Sequence, residues 1–491
     1  MHQVQGVSMP TSRPFRVIII GGGVAGLLAS HCLQKAGIDH VVLERRAEVA
    51  PEEGASIAIY PHGVRILHQL GILEAAKRVC VPCDRWWSRR PDGKAIMNNG
   101  FFHYVKENHG HDILLLERRQ FLQVLYNELP DKAHIRTGCT AKEIKQFVSG
   151  VEVKLSDGTI ETGDLIIGCD GVNSMTRSSM WEHAKKISPG LITAKEKTSM
   201  KTHWKCLIGM APADPGLGER DMTVVHDSKY SFLTLSQPDR VFFFVFFRLS
   251  KPTSWPQRQR YSDADAESLA ASVANHHLSE TTVFGELWKS RYRGALIPLE
   301  EGVLEHWYHG RIVLAGDSVH KMTPNIALGG NSAMESVVSL CNQIQTMMVK
   351  QCGAQPSLAT LTQAFAAYQT ERQGRVKQVM EYSGLITKVQ AWSSPIHWFL
   401  ANWVLPLQPD RAIADDLGEI IRGAPKLNYV DLGEFASGKL EWKYGNPVGS
   451  LVKAKRHPEA VSSRILRVMS TVLVIAFVVV AARHIKSLLV I

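Results

Sequence analysis

Residues 21–26 read GGGVAG and carry the spacing G-x-G-x-x-G. The apolar run 15–20 before them predicts a buried strand, and residues 24–36 after them have helical periodicity closed by Gly37. Between strand and helix, Gly21, Gly23 and Gly26 permit a tight turn, close backbone approach to a pyrophosphate and close helix–sheet packing. The helix N-terminus adds amide donors and the positive end of its dipole. Glu44 ends a second predicted strand, 40–44. A carboxylate there accepts both ribose hydroxyls and repels a 2′-phosphate. These residues predict an adenine dinucleotide site.

Two later motifs narrow the dinucleotide. DLIIGCDG at 164–171 is a predicted buried strand ending in Asp170-Gly171, followed by Asn173, Ser174 and Arg177. LAGDSVH at 314–320 is another, ending in Gly316-Asp317; Pro324 and then Gly329, Gly330 and Asn331 lead into a predicted helix. With these three motifs in this order, residues 15–380 resemble the class A flavin monooxygenases of the para-hydroxybenzoate hydroxylase fold.

The resemblance implies FAD as bound cofactor and NADPH as co-substrate. It places Gly21, Gly23, Gly26 and Glu44 on the ADP half of FAD, Asp170 beside FAD and NADPH, and Asp317 on the ribityl and pyrophosphate part. Gly329, Gly330 and Asn331 would set backbone amides under the isoalloxazine, where they stabilise the anionic reduced ring. Arg119 starts an R-x-x-L run matching the family's pyrophosphate arginine, with Arg118 the less well-aligned neighbour. Ala327 departs from the family's first glycine in that loop. His62 and His320 stand beside the motifs and read as structural, His320 as an orienting residue for its loop.

GASIAIYPHG at 54–63, LGIL at 70–73 and LERRQFL at 116–122 are similar to the fungal epoxidases of indole-diterpene and meroterpenoid pathways. That branch contacts FAD at the position of Ala58, and its active-site position before a C-x-x-G run falls on Lys205, with Trp204 as neighbour. The resemblance implies epoxidation of a prenyl-chain alkene: NADPH reduces FAD, O₂ adds at flavin C4a, and the alkene takes the distal oxygen. A prenylated small molecule is then the substrate, and a downstream membrane terpene cyclase a candidate partner. The rival readings are an aromatic hydroxylase of the same fold and a flavoprotein partner without turnover.

The elements that must position these residues are those of an α/β protein. A doubly wound FAD-binding domain is interrupted by a mostly antiparallel β-sheet substrate domain and followed by a helical, membrane-associated C-terminus. The predicted division is a flexible leader at 1–14, FAD-binding parts at 15–180 and 301–380, a substrate domain at 181–300, a Trp-rich region at 381–463 and a transmembrane anchor at 464–486. Residues 241–248 (VFFFVFFR) form an aromatic strand able to line an apolar pocket, and SDG at 156–158 marks a hairpin.

The 491-residue chain is 45% hydrophobic and 21% charged, ordinary globular composition that excludes wholesale disorder and small disulfide scaffolds. Its charge of +10 is uneven: residues 451–491 hold seven Lys or Arg and one Glu. The excess flanks the uncharged apolar run 468–482, so it points to anionic lipid and away from nucleic acid. This predicts a single-pass anchor in the endoplasmic reticulum with the catalytic domain facing the cytosol. The segment 385–407, with Trp392, Trp398 and Trp403, fits either the membrane interface or a packed core. The eight cysteines suggest free thiols in a reducing compartment, and Cys80-x-x-Cys83 lacks the second ligand pair a zinc site needs, so no metal is expected.

Overall fold

The computed structural model describes residues 14–352 and 354–444. Its first layer is a six-stranded sheet in the order Tyr308–His309, Ile312–Leu314, Leu165–Gly168, Arg16–Ile20, Asp39–Leu43, Ile135–Arg136. All neighbours are parallel except the antiparallel pair at the Tyr308–His309 edge. Parallel strands covered on both faces need unbroken apolar runs, and Val17, Ile18, Ile19, Leu165, Ile166 and Ile167 are fully buried. The helices Val24–Lys35 and Leu328–Lys350 pack beside them. All three nucleotide motifs therefore leave the carboxyl ends of neighbouring strands in one sheet. Ligands of doubly wound folds bind at that edge.

The predicted hairpin is present: Val151–Leu155 pairs antiparallel with Ile160–Gly163. Gly158 takes φ +89° at its turn, which a side chain would resist.

The second large sheet has eight strands: His320–Lys321, Arg293–Val303, Lys201–Pro212, Arg240–Ser254, Tyr230–Gln237, Asp221–His226, Arg85–Arg89 and Ala95–Asn99. It is antiparallel except where Asp221–His226 pairs parallel with Arg85–Arg89. Two strands thus come from a stretch that the sequence order puts in the first FAD-binding part. The parallel register Asp221↔Arg85 joins residues far apart in the chain, so local pattern carries no trace of it.

The aromatic strand splits its side chains between two faces, as strand geometry demands. Phe243, Val245 and Phe247 pack against the helices Asp263–Ser272 and Phe284–Ser290; Phe243 meets Phe284 and Trp288 at 5.7 and 5.9 Å between ring centroids. Phe242, Phe244 and Phe246 point the other way, toward Met322 and Leu328 at the flavin-motif loop.

The helix Leu358–Gln390 is 33 residues long and lies against Leu328–Lys350. It breaks at Trp392, φ +37°, and the chain resumes as a helical segment over 395–407. Among the described residues no helix is long and apolar enough to cross a membrane, and the predicted anchor 464–486 lies outside them.

Candidate active site

The glycine-rich turn is built around contacts that a side chain would block. Gly21 sits at φ +105°, donates its N–H to Leu43 O at 2.9 Å, and a Cβ on it would lie 2.5 Å from Cys169 O. A Cβ on Gly26 would lie 1.8 Å from Gly21 O, so helix and turn touch backbone to backbone. Gly23 differs: a Cβ there would meet nothing within 4 Å, so the helix N-terminus opens onto free space. Glu44 is buried, and its two carboxylate oxygens accept from Gly22 N–H at 2.7 Å and Arg46 N–H at 2.9 Å. Two backbone amides fix the orientation of this anion, leaving its remaining lone pairs for a diol.

Asp170 works inward. Its carboxylate accepts from Ser174 Oγ at 2.5 Å and from Thr176 N and Oγ1 at 3.0 Å, so it holds the start of the helix Met175–Ile187. Arg177 then ties two motifs together, donating to Ser318 O at 2.8 Å and Val172 O at 2.7 Å. Asp317 is 45% exposed and 3.8 Å from Lys321 Nζ, so its carboxylate remains open to the cleft.

The arginine pair divides against the sequence alignment. Arg119 leans out to Glu52 at 2.6 Å and Ala50 O at 3.3 Å. Arg118 turns inward, its stem across Gly54, where a Cβ would come within 3.1 Å of Cδ. Burial lowers the Arg118 pKa, and the charges of Glu53, Asp317 and Glu44 surround it. The arginine among the nucleotide-motif acids is therefore Arg118.

The third motif forms the floor. Ala327 is a non-glycine residue at φ +51°, immediately before the helix Leu328–Lys350. Asn331 Nδ2 donates to Ala58 O at 2.8 Å and Ala327 O at 2.9 Å, while its Oδ1 accepts from Tyr60 N at 3.0 Å. It thus acts through its side chain as a tie between the strand Ser56–Ile59 and the helix start. Gly329 has room around it, its notional Cβ being 3.7 Å from Met322, and Gly330 packs on Ile57. A polar clamp, which sequence reasoning missed, holds the loop from behind. Thr387 Oγ1 lies 2.7 Å from Thr323 Oγ1 and 2.9 Å from Asn325 Oδ1, and Asn325 Nδ2 donates to Gln390 at 2.7 Å.

Both histidines anchor the floor helix and do not face the cleft. His320 Nε2 lies 2.8 Å from Ser336 Oγ, and burial, then Arg372, pushes its pKa down to about 3. His62 Nε2 lies 3.3 Å from Glu335, and burial pushes its pKa down to about 3. Glu335 is the buried hub: it bonds Arg372 and, at 2.7 Å, Arg375. Burial opposes its charge, but Arg375 and Arg372 prevail and hold its pKa well below the carboxylate range. At Cys80 burial raises the thiol pKa to about 12, which describes an inert thiol.

Strand alternation corrects the Lys205 assignment. Trp204 is 3% exposed and shares the cleft-side face with Phe242, Phe244, Phe246, Ile208 and Leu299. Lys205 points to the opposite face, its Nζ 5.5 Å from the Tyr261 ring centroid, so it is on the wrong side of the sheet to touch a substrate. Tyr60 closes the cleft face from the loop side; its hydroxyl donates to Ile326 O at 3.0 Å, and burial raises its pKa.

Open space at a helix N-terminus, a pinned ribose-height carboxylate, a half-buried arginine and a glycine floor next to an apolar wall fit FAD in size and charge. Comparison with known proteins agrees. Residues 15–383 match the family model described as an FAD binding domain. The chain is 41% identical over 432 residues to the FAD-dependent monooxygenase DEP2 of Alternaria brassicicola, covering 87% of this chain and 81% of that one. It is 36% identical over 430 residues to the FAD-dependent monooxygenase atmM of Aspergillus flavus, covering 87% and 89%. In fold it is similar to Klebsiella pneumoniae HpxO complexed with FAD, with a TM-score of 0.67 and 19% identity over 84% of this chain and 99% of that one.

Proposed function

The chain belongs to the FAD binding domain family as a class A FAD-dependent monooxygenase, and we propose that it epoxidises an alkene on a prenylated secondary-metabolite intermediate with NADPH as reductant. The observation that carries this reading is the cleft-side wall. Trp204, Phe242, Phe244 and Phe246 present apolar surface toward the flavin-motif loop. Phenol hydroxylation calls for a base that deprotonates the ring hydroxyl. Tyr60 is engaged with Ile326 O, and Glu117 is tied up by Arg240 and Arg293. An electron-rich alkene needs no such base.

Bound FAD supplies the redox chemistry that activates O₂. Gly21, Gly23 and Gly26 admit the pyrophosphate, Glu44 takes the adenosine ribose, and Arg118 and Asp317 bracket the phosphate and ribityl stretch. The amides at Gly329 and Gly330 stabilise negative charge on the ring's pyrimidine side, aided by the dipole of their helix. Asn331 fixes that helix start relative to Ala58. The aromatic wall excludes water and aligns the prenyl chain.

We assign the segment 464–486 as a membrane anchor, in keeping with an oily substrate. Deleting residues 464–491 should release the protein from sedimented membranes; unchanged sedimentation would refute the tail as sole anchor. Glu44→Ala and Asp317→Ala should each give protein poor in flavin by absorbance, and full occupancy in both would undo these cofactor assignments. The decisive experiment supplies NADPH with a geranylgeranylated indole or a farnesylated phenol to membranes carrying the protein, with products read by mass and NMR. One oxygen at an alkene supports the epoxidase. One oxygen on the ring replaces it with the aromatic hydroxylase.

A further inference from the structure

The helical segment 395–407 carries large apolar side chains outward. Trp403 is 59% exposed and Leu407 81%, with Ile396, Trp398 and Phe399 exposed beside them. Contiguous apolar surface of this kind marks an interaction site, and tryptophan is characteristic of the membrane–water boundary. No acidic residue occurs between Glu381 and Asp410. Lys201, Lys229, Arg248 and Lys388 are exposed around this end of the sheet. Arg248 donates to Ser393 O at 3.1 Å, Lys229 N donates to Ala391 O at 2.9 Å, and Lys388 and Arg248 both act electrostatically on His397.

The patch also continues from the active site. Phe242, Phe244, Phe246 and Arg248 occupy successive positions on the cleft face of one strand, and Ala391 packs in the same apolar cluster as the first three. His226 of that sheet stacks on Trp392 at 6.3 Å between ring centroids. The wall that faces the flavin loop therefore runs out to a rim of cations and then to exposed tryptophans.

We propose that residues 395–407 form a membrane-contact surface that seats in the headgroup region of a bilayer containing anionic lipid, at the mouth of the substrate wall. The cationic rim selects the occupant: anionic headgroups satisfy Lys229, Arg248 and Lys388 while the indoles enter the interface. A prenylated substrate dissolved in that leaflet would then reach the wall without crossing water. This deepens the proposed substrate class, but its test does not depend on turnover.

The test uses the full-length holoprotein in nanodiscs of phosphatidylcholine and phosphatidylserine. An environment-sensitive fluorophore is attached through Trp403→Cys, or through Phe147→Cys on an exposed turn of the FAD-binding part, each with the exposed Cys352→Ser. Labelling of Cys352→Ser alone gives the background, and retained FAD absorbance shows that each variant is folded. Lipid spin-labelled near the headgroup should quench the 403 label about twofold or more and leave the 147 label nearly unchanged, the depth expected of an interfacial helix. Replacing phosphatidylserine with phosphatidylcholine should weaken the quenching at 403. Equal quenching at both sites overturns the proposal. So does a 403 label that is blue-shifted yet insensitive to the spin-labelled lipid, because the chain's own tail or a second copy would then cover the patch. Quenching indifferent to phosphatidylserine overturns the anionic part.

Discussion

Adjacent residues of similar type separate sharply in this protein. Arg119 satisfies the R-x-x-L spacing, yet it forms an exposed ion pair with Glu52, whereas Arg118 lies among Glu53, Asp317 and Glu44. Exposed pairs contribute about 0–1 kcal/mol, so Arg119→Ala should leave both melting temperature and flavin content nearly unchanged. Arg118→Ala should lose most of its FAD, read by the ratio of flavin to protein absorbance. The reverse pattern would return the role to Arg119. Ala327 offers a second residue-scale test. Its left-handed φ of +51° costs about 1 kcal/mol that glycine would not incur, part of which glycine gives back as unfolded-chain entropy. Ala327→Gly should therefore raise the melting temperature slightly, by about 1–2 °C. A lower melting temperature would show that the alanine methyl is needed for packing.

The strands, helices and their motifs follow from local chemistry, and those were legible. The glycine turn, the hairpin at Gly158 and the buried runs at 16–20 and 165–168 each have a cause within a few residues. What was not legible depends on phase. The strand Lys201–Pro212 has a register shift between Thr202 and Trp204, and a one-residue slip exchanges the faces of a strand. No local pattern tells whether Trp204 or Lys205 faces the cleft. The clamp on the flavin loop was invisible for a similar reason: Thr323 and Asn325 meet Ser383, Thr387 and Gln390 only once the 33-residue helix is packed. Thr387→Val removes the central hydroxyl and strands two buried partners, a cost of about 1–3 kcal/mol. With the loop loosened, NADPH oxidation should yield more hydrogen peroxide per product formed. An unchanged peroxide-to-product ratio would limit the clamp to a structural role.

Across the whole molecule, buried neutral histidines set how the fold responds to acid. Burial is the leading cause in each case, lowering the pKa of His31, His40, His109 and His226 to about 4 and of His62 and His320 to about 3. An unfolded histidine titrates near 6.5. Below that pH the unfolded chain binds protons that the folded chain refuses, so stability must fall as pH falls. The contribution is complete above about 6.5 and is lost on descending through about 4 toward about 3. Each such proton contributes up to about 1.4 kcal/mol per pH unit, so two or three of them together outweigh a sizeable part of a stability of about 5–15 kcal/mol. Glu335 acts in the same direction, because Arg375 and Arg372 keep it charged in the fold at a pH where a free carboxylate has already taken up its proton. The urea midpoint measured with excess FAD should therefore drop clearly between pH 7.5 and pH 5.5, with uptake of about two or more protons on unfolding. A midpoint flat across that interval would mean that these histidines reach water in the folded protein, and that the floor helix is less closed than its contacts to His62 and His320 require.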